Sequence, residues 1–288
     1  MDENRNQAAD ARLLAGSQAG ALSEVERALA EGARVDAREM EGGPQTPLAR
    51  AARAGSLECV EALLRAGADL EGRSLGGWTP AFYAARSGSG EALLRLIQAG
   101  CDIEAEAVDG SRPLQGAASG GSAVCVSALA AAGADLEARD ARGRTALAVA
   151  AYAGHGLAAR ELLAAGARLA TIDREGWRPA AFAAWAGRFE ALALLLAAGA
   201  DVDEPGIEGR SAAMWAASRG RSECLGLLLR AGADIEARDA SGRSIDELAA
   251  PWCKAEIKEE RARRLAKRGA AAIGAELPEA PAGRRRAL

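Results

Sequence analysis

The sequence predicts an all-α solenoid of stacked helix-turn-helix units, and three observations indicate it. Similar segments recur every 33 residues: RAGADLE at 65–71 returns as RAGADIE at 230–236, with related segments at the four intermediate multiples. A column of Thr, Ser and Arg residues keeps the same spacing from position 46 to position 244. Aromatic residues make up only 3% of the 288 residues although 49% are apolar, so small side chains carry the burial. A fixed period of this length is typical of stacked repeats.

Each unit is predicted to be a pair of short helices followed by a loop. In the unit at 145–171, Thr145 is suited to cap the first helix, and Gly154 can adopt the left-handed conformation that ends it. Apolar residues at helical spacing follow, and Gly166 ends the second helix. Helices of roughly 8 to 10 residues are marginal alone, so each unit must bury its apolar face against its neighbours.

The segment TPLARAARAGSLECVEALLRAGADLE at 46–71 resembles the ankyrin repeat, whose pattern runs Thr-Pro-Leu-His, Ala-Ala, Gly, two Leu and Gly-Ala-Asp. This resemblance implies an ankyrin-repeat solenoid with short β-hairpin or loop tips. Polar terminal caps are expected because the ends of a solenoid face water. The implied organisation is an ankyrin repeat domain over 1–268, with an N-terminal cap repeat at 11–36, six repeats at 46–243 and a C-terminal cap at 244–268, then a disordered Pro- and Arg-containing tail at 269–288.

The sequence also departs from the repeat pattern at several positions. The usual histidine after Thr-Pro-Leu is replaced in all six repeats, so its buried hydrogen bonds are expected to be absent throughout. Arg112 and Arg178 replace the capping threonine, and each lost cap is expected to cost about 1 kcal/mol. The third repeat contains SRPLQGAASGGSA, whose additional glycines predict the softest layer of the stack.

No enzyme, cofactor site or metal site is predicted. The single histidine, His155, follows the glycine that ends a first helix, where the repeat family often has histidine, so a structural role is expected. Acidic pairs and glycines recur with the period, so no unique acid-base pair or phosphate-binding loop stands out. Small-residue core positions account for the cysteines, which predicts buried free thiols in a reducing compartment. These cysteines are Cys59, Cys101, Cys125, Cys224 and Cys253.

Charge and hydropathy limit the classes of partner. The formal net charge is -4, so no general attraction to nucleic acid is expected. The N-terminus lacks the basic and apolar stretches of a signal peptide, and the most apolar run, at 191–200, is shorter than the roughly 20 residues that span a bilayer. We therefore expect a soluble, monomeric, cytoplasmic protein with no membrane partner; the nucleus remains an open alternative.

The resemblance implies a concave groove that binds other proteins, lined by the loop tips and the exposed face of the first helices. Three repeat positions on this surface contain seven of the ten aromatic residues and no carboxylate. Trp, Tyr and Arg dominate binding hot spots. An alternative for Phe182 and Trp215 is packing between layers. The candidate partner-binding residues are Trp78, Tyr83, Arg86, Arg144, Tyr152, Trp177, Trp185, Arg210 and Trp215.

Acidic residues collect on the second helices, so the groove is expected to be locally basic and its partner to present an acidic or mixed acidic-apolar surface. Two functions stay open. One is a non-catalytic scaffold or adaptor; the other is an inhibitor or regulatory subunit of a single enzyme that uses the same groove. An enzyme would need its chemistry in the tail or in the loop at 37–45, and neither has the residues.

Overall fold

The helices alternate with loops along the whole described chain. A computed structural model describes residues 2–38 and 45–275, and within these ranges it has sixteen α-helices and no strand, which confirms the predicted all-α class. The helices are α1 (Asp2–Ala19), α2 (Leu22–Ala30), α3 (Pro47–Ala54), α4 (Leu57–Arg65), α5 (Pro80–Ser87), α6 (Gly90–Gln98), α7 (Pro113–Gly120), α8 (Ala123–Ala131), α9 (Ala146–Ala153), α10 (Gly156–Ala164), α11 (Pro179–Ala186), α12 (Phe189–Ala197), α13 (Ala212–Ser218), α14 (Ser222–Arg230), α15 (Ile245–Leu248) and α16 (Lys254–Ala275).

Equivalent helices of successive units form two layers. The first helices α3, α5, α7, α9, α11 and α13 each pack on the next, and the second helices from α4 to α14 do the same. Helices α1 and α2 close one end, and α15 and α16 close the other. The result is the predicted solenoid, in which each unit contacts its sequence neighbours.

Alanine and leucine side chains at equivalent positions of successive repeats fill the core. Each of the six central first helices contributes a pair of fully buried alanines, such as Ala51 and Ala52 in α3. Each central second helix contributes a buried leucine at the position of Leu63. Burying such a leucine stabilises the fold by about 1.5–3 kcal/mol, and the alanines allow the first helices to approach closely. The repeat positions therefore correspond to packing positions.

Hydroxyl side chains cap most first helices. Thr46, Thr79, Thr145 and Ser211 each accept a hydrogen bond from the backbone N–H three residues later. Arg112 lacks such a bond, as predicted, although it forms ion pairs with carboxylates of the preceding loop at 2.6 and 2.7 Å. Arg178 also lacks the capping bond, and it forms an ion pair with Glu204 at 2.8 Å. Both arginines therefore connect the start of a helix to a loop through ion pairs.

The third repeat corrects the expectation that hydrogen bonds at the histidine position are absent throughout. Gln115 occupies that position and is buried. Its Oε1 accepts from the backbone N–H of Arg112 at 3.1 Å, and its Nε2 donates to the carbonyl oxygen of Ala138 at 2.8 Å. The glutamine thus connects the start of α7 to the following loop.

The additional glycines of the third repeat permit close helix packing. A Cβ atom on Gly120 would overlap the carbonyl oxygen of Arg86, and one on Gly116 would lie 3.2 Å from the Phe82 ring. Helix α7 therefore lies closer to α5 than a larger residue would allow. This close contact explains why glycine occurs at these two positions, whatever the local stability of the third repeat.

Two predicted boundaries differ from the helices. Helix α1 begins at Asp2, well before the predicted start of the N-terminal cap repeat at 11. Helix α16 continues to Ala275, seven residues beyond the predicted end of the C-terminal cap at 268. The rest of the predicted tail, 276–288, and the loop residues 39–44 lie outside the described residues.

The cysteines and the histidine have the structural environments that were expected. All five cysteines are buried and none forms a disulfide. Burial raises the pKa of Cys101 to about 12 and that of Cys224 to about 11, so both thiols stay protonated at neutral pH. His155 Nε2 lies 3.1 Å from the carbonyl oxygen of Ser119, which links the fourth repeat to the third.

The close contact at Gly120 generates a stability prediction. Gly120→Ala should lower the free energy of unfolding by about 1–3 kcal/mol, because the added methyl group must push α7 away from α5. The control is Gly156→Ala at the start of α10, where the added Cβ would have 3.7 Å of room. Urea unfolding monitored by circular dichroism measures both variants. Equal stability of Gly120→Ala and the wild type would show that the two helices are not in tight contact.

Candidate functional site

The loop tips are rigid because carboxylates and neighbouring tips hold their backbones. Asp173 Oδ1 accepts from the backbone N–H groups of Glu175 and Trp177 at 2.9 and 2.8 Å, and Asp140 and Asp239 hold their own tips in the same way. Backbone hydrogen bonds also join each tip to the next, for example from the Arg174 N–H to the Arg142 carbonyl oxygen at 3.0 Å. The side chains on the tips are thereby set in a row above the first helices.

A first aromatic cluster lies on the second repeat and consists of Trp78, Phe82 and Tyr83. The Trp78 and Phe82 rings are stacked with centroids 5.5 Å apart, and Tyr83 meets Trp78 edge-on at 5.9 Å. The Arg86 guanidinium lies over the Trp78 ring at 5.6 Å. Gln45 donates to the Tyr83 hydroxyl at 3.1 Å, which joins this cluster to the preceding repeat.

A second aromatic cluster spans three repeats and consists of Tyr152, Trp177, Phe182, Trp185 and Trp215. Tyr152 and Trp185, 33 residues apart in sequence, stack with centroids 6.0 Å apart. Trp177, on the loop tip before α11, contacts Phe182 of α11 at 5.0 Å and Trp215 of α13 at 4.7 Å. Five rings therefore form one continuous surface across α9, α11 and α13.

Exposure divides the predicted site residues into two groups. Tyr83, Arg210 and Trp215 are 7%, 9% and 8% exposed, so in the free chain they support the surface and present little area to a partner. The packing alternative for Phe182 and Trp215 is thus confirmed, since Phe182 is also buried. The remaining predicted residues are accessible at least in part: Trp78, Arg86, Arg144, Tyr152, Trp177 and Trp185.

Ion pairs neutralise two of the tip arginines on which the expectation of a locally basic groove depended. Arg144 pairs with the buried carboxylate of Asp140 at 2.7 Å. Arg210 pairs with Asp239 at 3.3 Å and with Glu208 at 3.1 Å. These tip arginines are neutralised by carboxylates of the loops, so they do not make the surface basic.

Two arginines at the C-terminal ends of first helices behave differently from the tip arginines. Arg219 lies over the Trp185 ring at 4.8 Å, as Arg86 lies over Trp78, and both are exposed. Neither forms an ion pair or side-chain hydrogen bond with another described residue. Sequence reasoning missed Arg219 because it lies one position beyond the aromatic column; its position next to the Ser218 of that column is the signal that could have found it.

The opposite side of the solenoid is acidic with an apolar interruption. Exposed Glu58, Glu91, Glu190 and Glu223 occupy one repeat position of the second helices. At that position α8 and α10 instead carry Val124 and Leu157, which are 63% and 60% exposed.

Among the described residues no group of His, Cys, Asp and Glu side chains could hold a metal ion, and none of the described helices is long and apolar enough to cross a membrane.

Comparison with known proteins identifies the repeat. The family model described as ankyrin repeats (3 copies) matches residues 13–107, 91–173, 114–206 and 160–239. The human ASB11 ankyrin repeat domain is similar in structure, with a TM-score of 0.70 and 26% identity over 75% of this chain and 98% of that chain. The ankyrin repeat domain of Bcl-3, a member of the IkappaB protein family, has a TM-score of 0.63 and 27% identity over the same shares. No curated protein matches the chain.

The last loop tip generates a prediction of pH dependence. Burial of Asp239 would raise its pKa, but hydrogen bonds from the Arg243 backbone and guanidinium, from Arg210 and from the Ser241 backbone outweigh burial and lower the pKa to about 2. This value is below the roughly 3.9 of an unfolded chain, so the carboxylate stabilises the fold fully above that pH and loses its effect as the pH falls towards 2.

Asp239→Asn should therefore lower the melting temperature at neutral pH, and the gap to the wild type should narrow from about pH 4 downwards. Thermal unfolding at a series of pH values measures the gap. A gap that stays constant, or widens, as the pH falls from 4 would contradict the role given to this carboxylate.

Proposed function

The chain belongs to the ankyrin repeat family, and on that premise we propose that it is a non-catalytic scaffold or adaptor whose second aromatic cluster binds another protein. Ankyrin repeats generally mediate protein-protein interaction. The cluster is the observation that carries the proposal, because it gathers five of the ten aromatic residues of the chain, three of them accessible and two buried beneath.

The cluster has the composition and rigidity of a binding hot spot. Tyr152 is 41% exposed, and Trp177 and Trp185 are half-buried above a buried base of Phe182 and Trp215. Large rings that are already fixed lose little conformational freedom on binding, which favours affinity. Tryptophan and tyrosine in such positions contribute about 2 kcal/mol or more each at hot spots.

The charges around the cluster favour a partner with an acidic or mixed acidic-apolar surface. Exposed Arg219 and Arg142 have no ion-pair partner among the described residues, whereas Arg144 is neutralised by Asp140. Two guanidinium groups beside apolar rings suit a partner carboxylate flanked by apolar side chains. The attraction should weaken as salt screens it.

We propose that the chain acts as a monomer in the cytoplasm. The alternative is an inhibitor or regulatory subunit that uses the same surface to block one enzyme. An affinity pull-down from native lysate separates the two, because an adaptor should recover several proteins and an inhibitor one enzyme whose activity falls on binding.

The test of the binding surface is Trp185→Ala, measured with the purified partner from the pull-down. Trp185 is half-buried and contacts Tyr152, Trp177 and Arg219, so its removal should weaken binding at least tenfold, which is about 1.4 kcal/mol. Trp177 is less suitable for this test, because its ring packs at 5.0 and 4.7 Å against the buried rings of Phe182 and Trp215.

The matched control is Glu190→Ala, an exposed position on the acidic side of the neighbouring helix α12. It should leave affinity unchanged. Calorimetry gives the affinity, and the melting temperature of each variant shows that the fold is intact. Loss of affinity in the glutamate variant alone would mean that the protein binds through its second helices.

A further inference from the structure

The first aromatic cluster borders a cleft of about 420 Å³, and none of the described residues that line it is a carboxylate. The lining consists of Gln45, Arg53, Trp78, Tyr83, Arg86 and Ser87. By contrast, a smaller cleft of about 210 Å³ at the second aromatic cluster is lined by Arg142 and Arg144 together with Asp173 and Glu175. Carboxylates thus line the cleft at the second cluster beside the arginines, whereas the described lining of the first cleft contains none.

Two guanidinium groups of this cleft are available to a ligand. Arg53 and Arg86 are exposed, and neither forms an ion pair or side-chain hydrogen bond with another described residue. Arg86 is held over the face of Trp78, which fixes the guanidinium while its N–H edges stay free. Planar, fixed forks of this kind match the oxygen atoms of carboxylates and phosphates.

The cleft also contains a hydrogen-bond donor besides the two arginines. The Tyr83 hydroxyl oxygen accepts a hydrogen bond from Gln45 Nε2 at 3.1 Å, which leaves the hydroxyl hydrogen free to donate. The indole N–H of Trp78 is buried and has no acceptor among the described residues, so it serves as a reporter of changes in the cleft. Within the part of the chain that the structure describes, the cleft therefore offers two guanidinium groups and one hydroxyl group to an anion, and no competing carboxylate.

We propose that this cleft binds the phosphoryl group of a phosphorylated side chain on a partner protein. A phosphoryl group carries a charge of about -1.5 to -2 and three acceptor oxygens, which suits two arginines and a hydroxyl donor. A single carboxylate needs only one bidentate arginine. Trp78 and Tyr83 wall the cleft with aromatic surface, so phosphotyrosine is the side chain that fits best.

The inference rests on the proposed function for the nature of the partner, but anion binding by the cleft is measurable without one. The experiment titrates the full chain, labelled with nitrogen-15, with phenyl phosphate and separately with benzoate, and follows the indole N–H signals. Phenyl phosphate should shift the Trp78 signal in a saturable way, leave the Trp185 signal unmoved and bind at least tenfold more tightly than benzoate.

The variant carries Arg53→Gln and Arg86→Gln, two exposed positions, and it should lose at least tenfold in affinity for phenyl phosphate. The control carries Arg142→Gln and should keep the affinity of the wild type, because this arginine lines the smaller cleft. Equal shifts at Trp78 and Trp185, benzoate binding as tight as phenyl phosphate, or an unchanged affinity of the double variant would overturn the proposal.

A third titration uses a short single-stranded DNA. If the DNA bound at Trp78 more tightly than phenyl phosphate, the assignment to a protein side chain would be wrong. Weaker binding of the DNA supports it. The two proposals can fail separately. If the chain does not bind phenyl phosphate but its partner binding depends on Trp185, only the phosphoryl site is rejected. If the chain binds phenyl phosphate but its partner binding does not depend on Trp185, only the interaction surface is rejected.

Discussion

The structure depends on contact between equivalent helices of neighbouring units. A helix of eight or nine residues, such as α3 or α4, is too short to be stable alone. It becomes stable when its buried alanines and leucines pack against the same residues of the next unit. This requirement fixes the 33-residue spacing, because an insertion within a unit would move one helix out of register with both neighbours. The polar faces of α1 and α16 then end the stack.

The same contact builds the candidate interaction surface. Residues one period apart lie side by side, so Tyr152 stacks on Trp185 although 33 positions separate them in sequence. Trp177 likewise reaches Trp215 of the following repeat. Aromatic residues that are scattered along the chain therefore meet on one face. The third repeat carries Ser111, Gly116 and Ser119 at the positions that hold the aromatic rings in other repeats, so no ring there connects the two clusters.

Much of the fold and part of the site followed from the sequence. The period placed Thr46 at a helix cap and Leu63 in the core because repeat positions are packing positions. The period did not predict which members of a column are buried, since that depends on the size of the neighbouring side chain. It also missed the pairing of Arg210 with Asp239, because that ion pair depends on side-chain conformation in two different loops.

The loop tips and the first helices are proposed to form the surface that contacts partners. Hydrogen exchange of the free and partner-bound chain, read by mass spectrometry, tests this proposal most directly. Binding should slow exchange in the tips and first helices around 172–186, where the second aromatic cluster lies, and leave the second helices α10 and α12 unchanged. Slower exchange confined to α10 and α12 would contradict the account and place the partner on the acidic side.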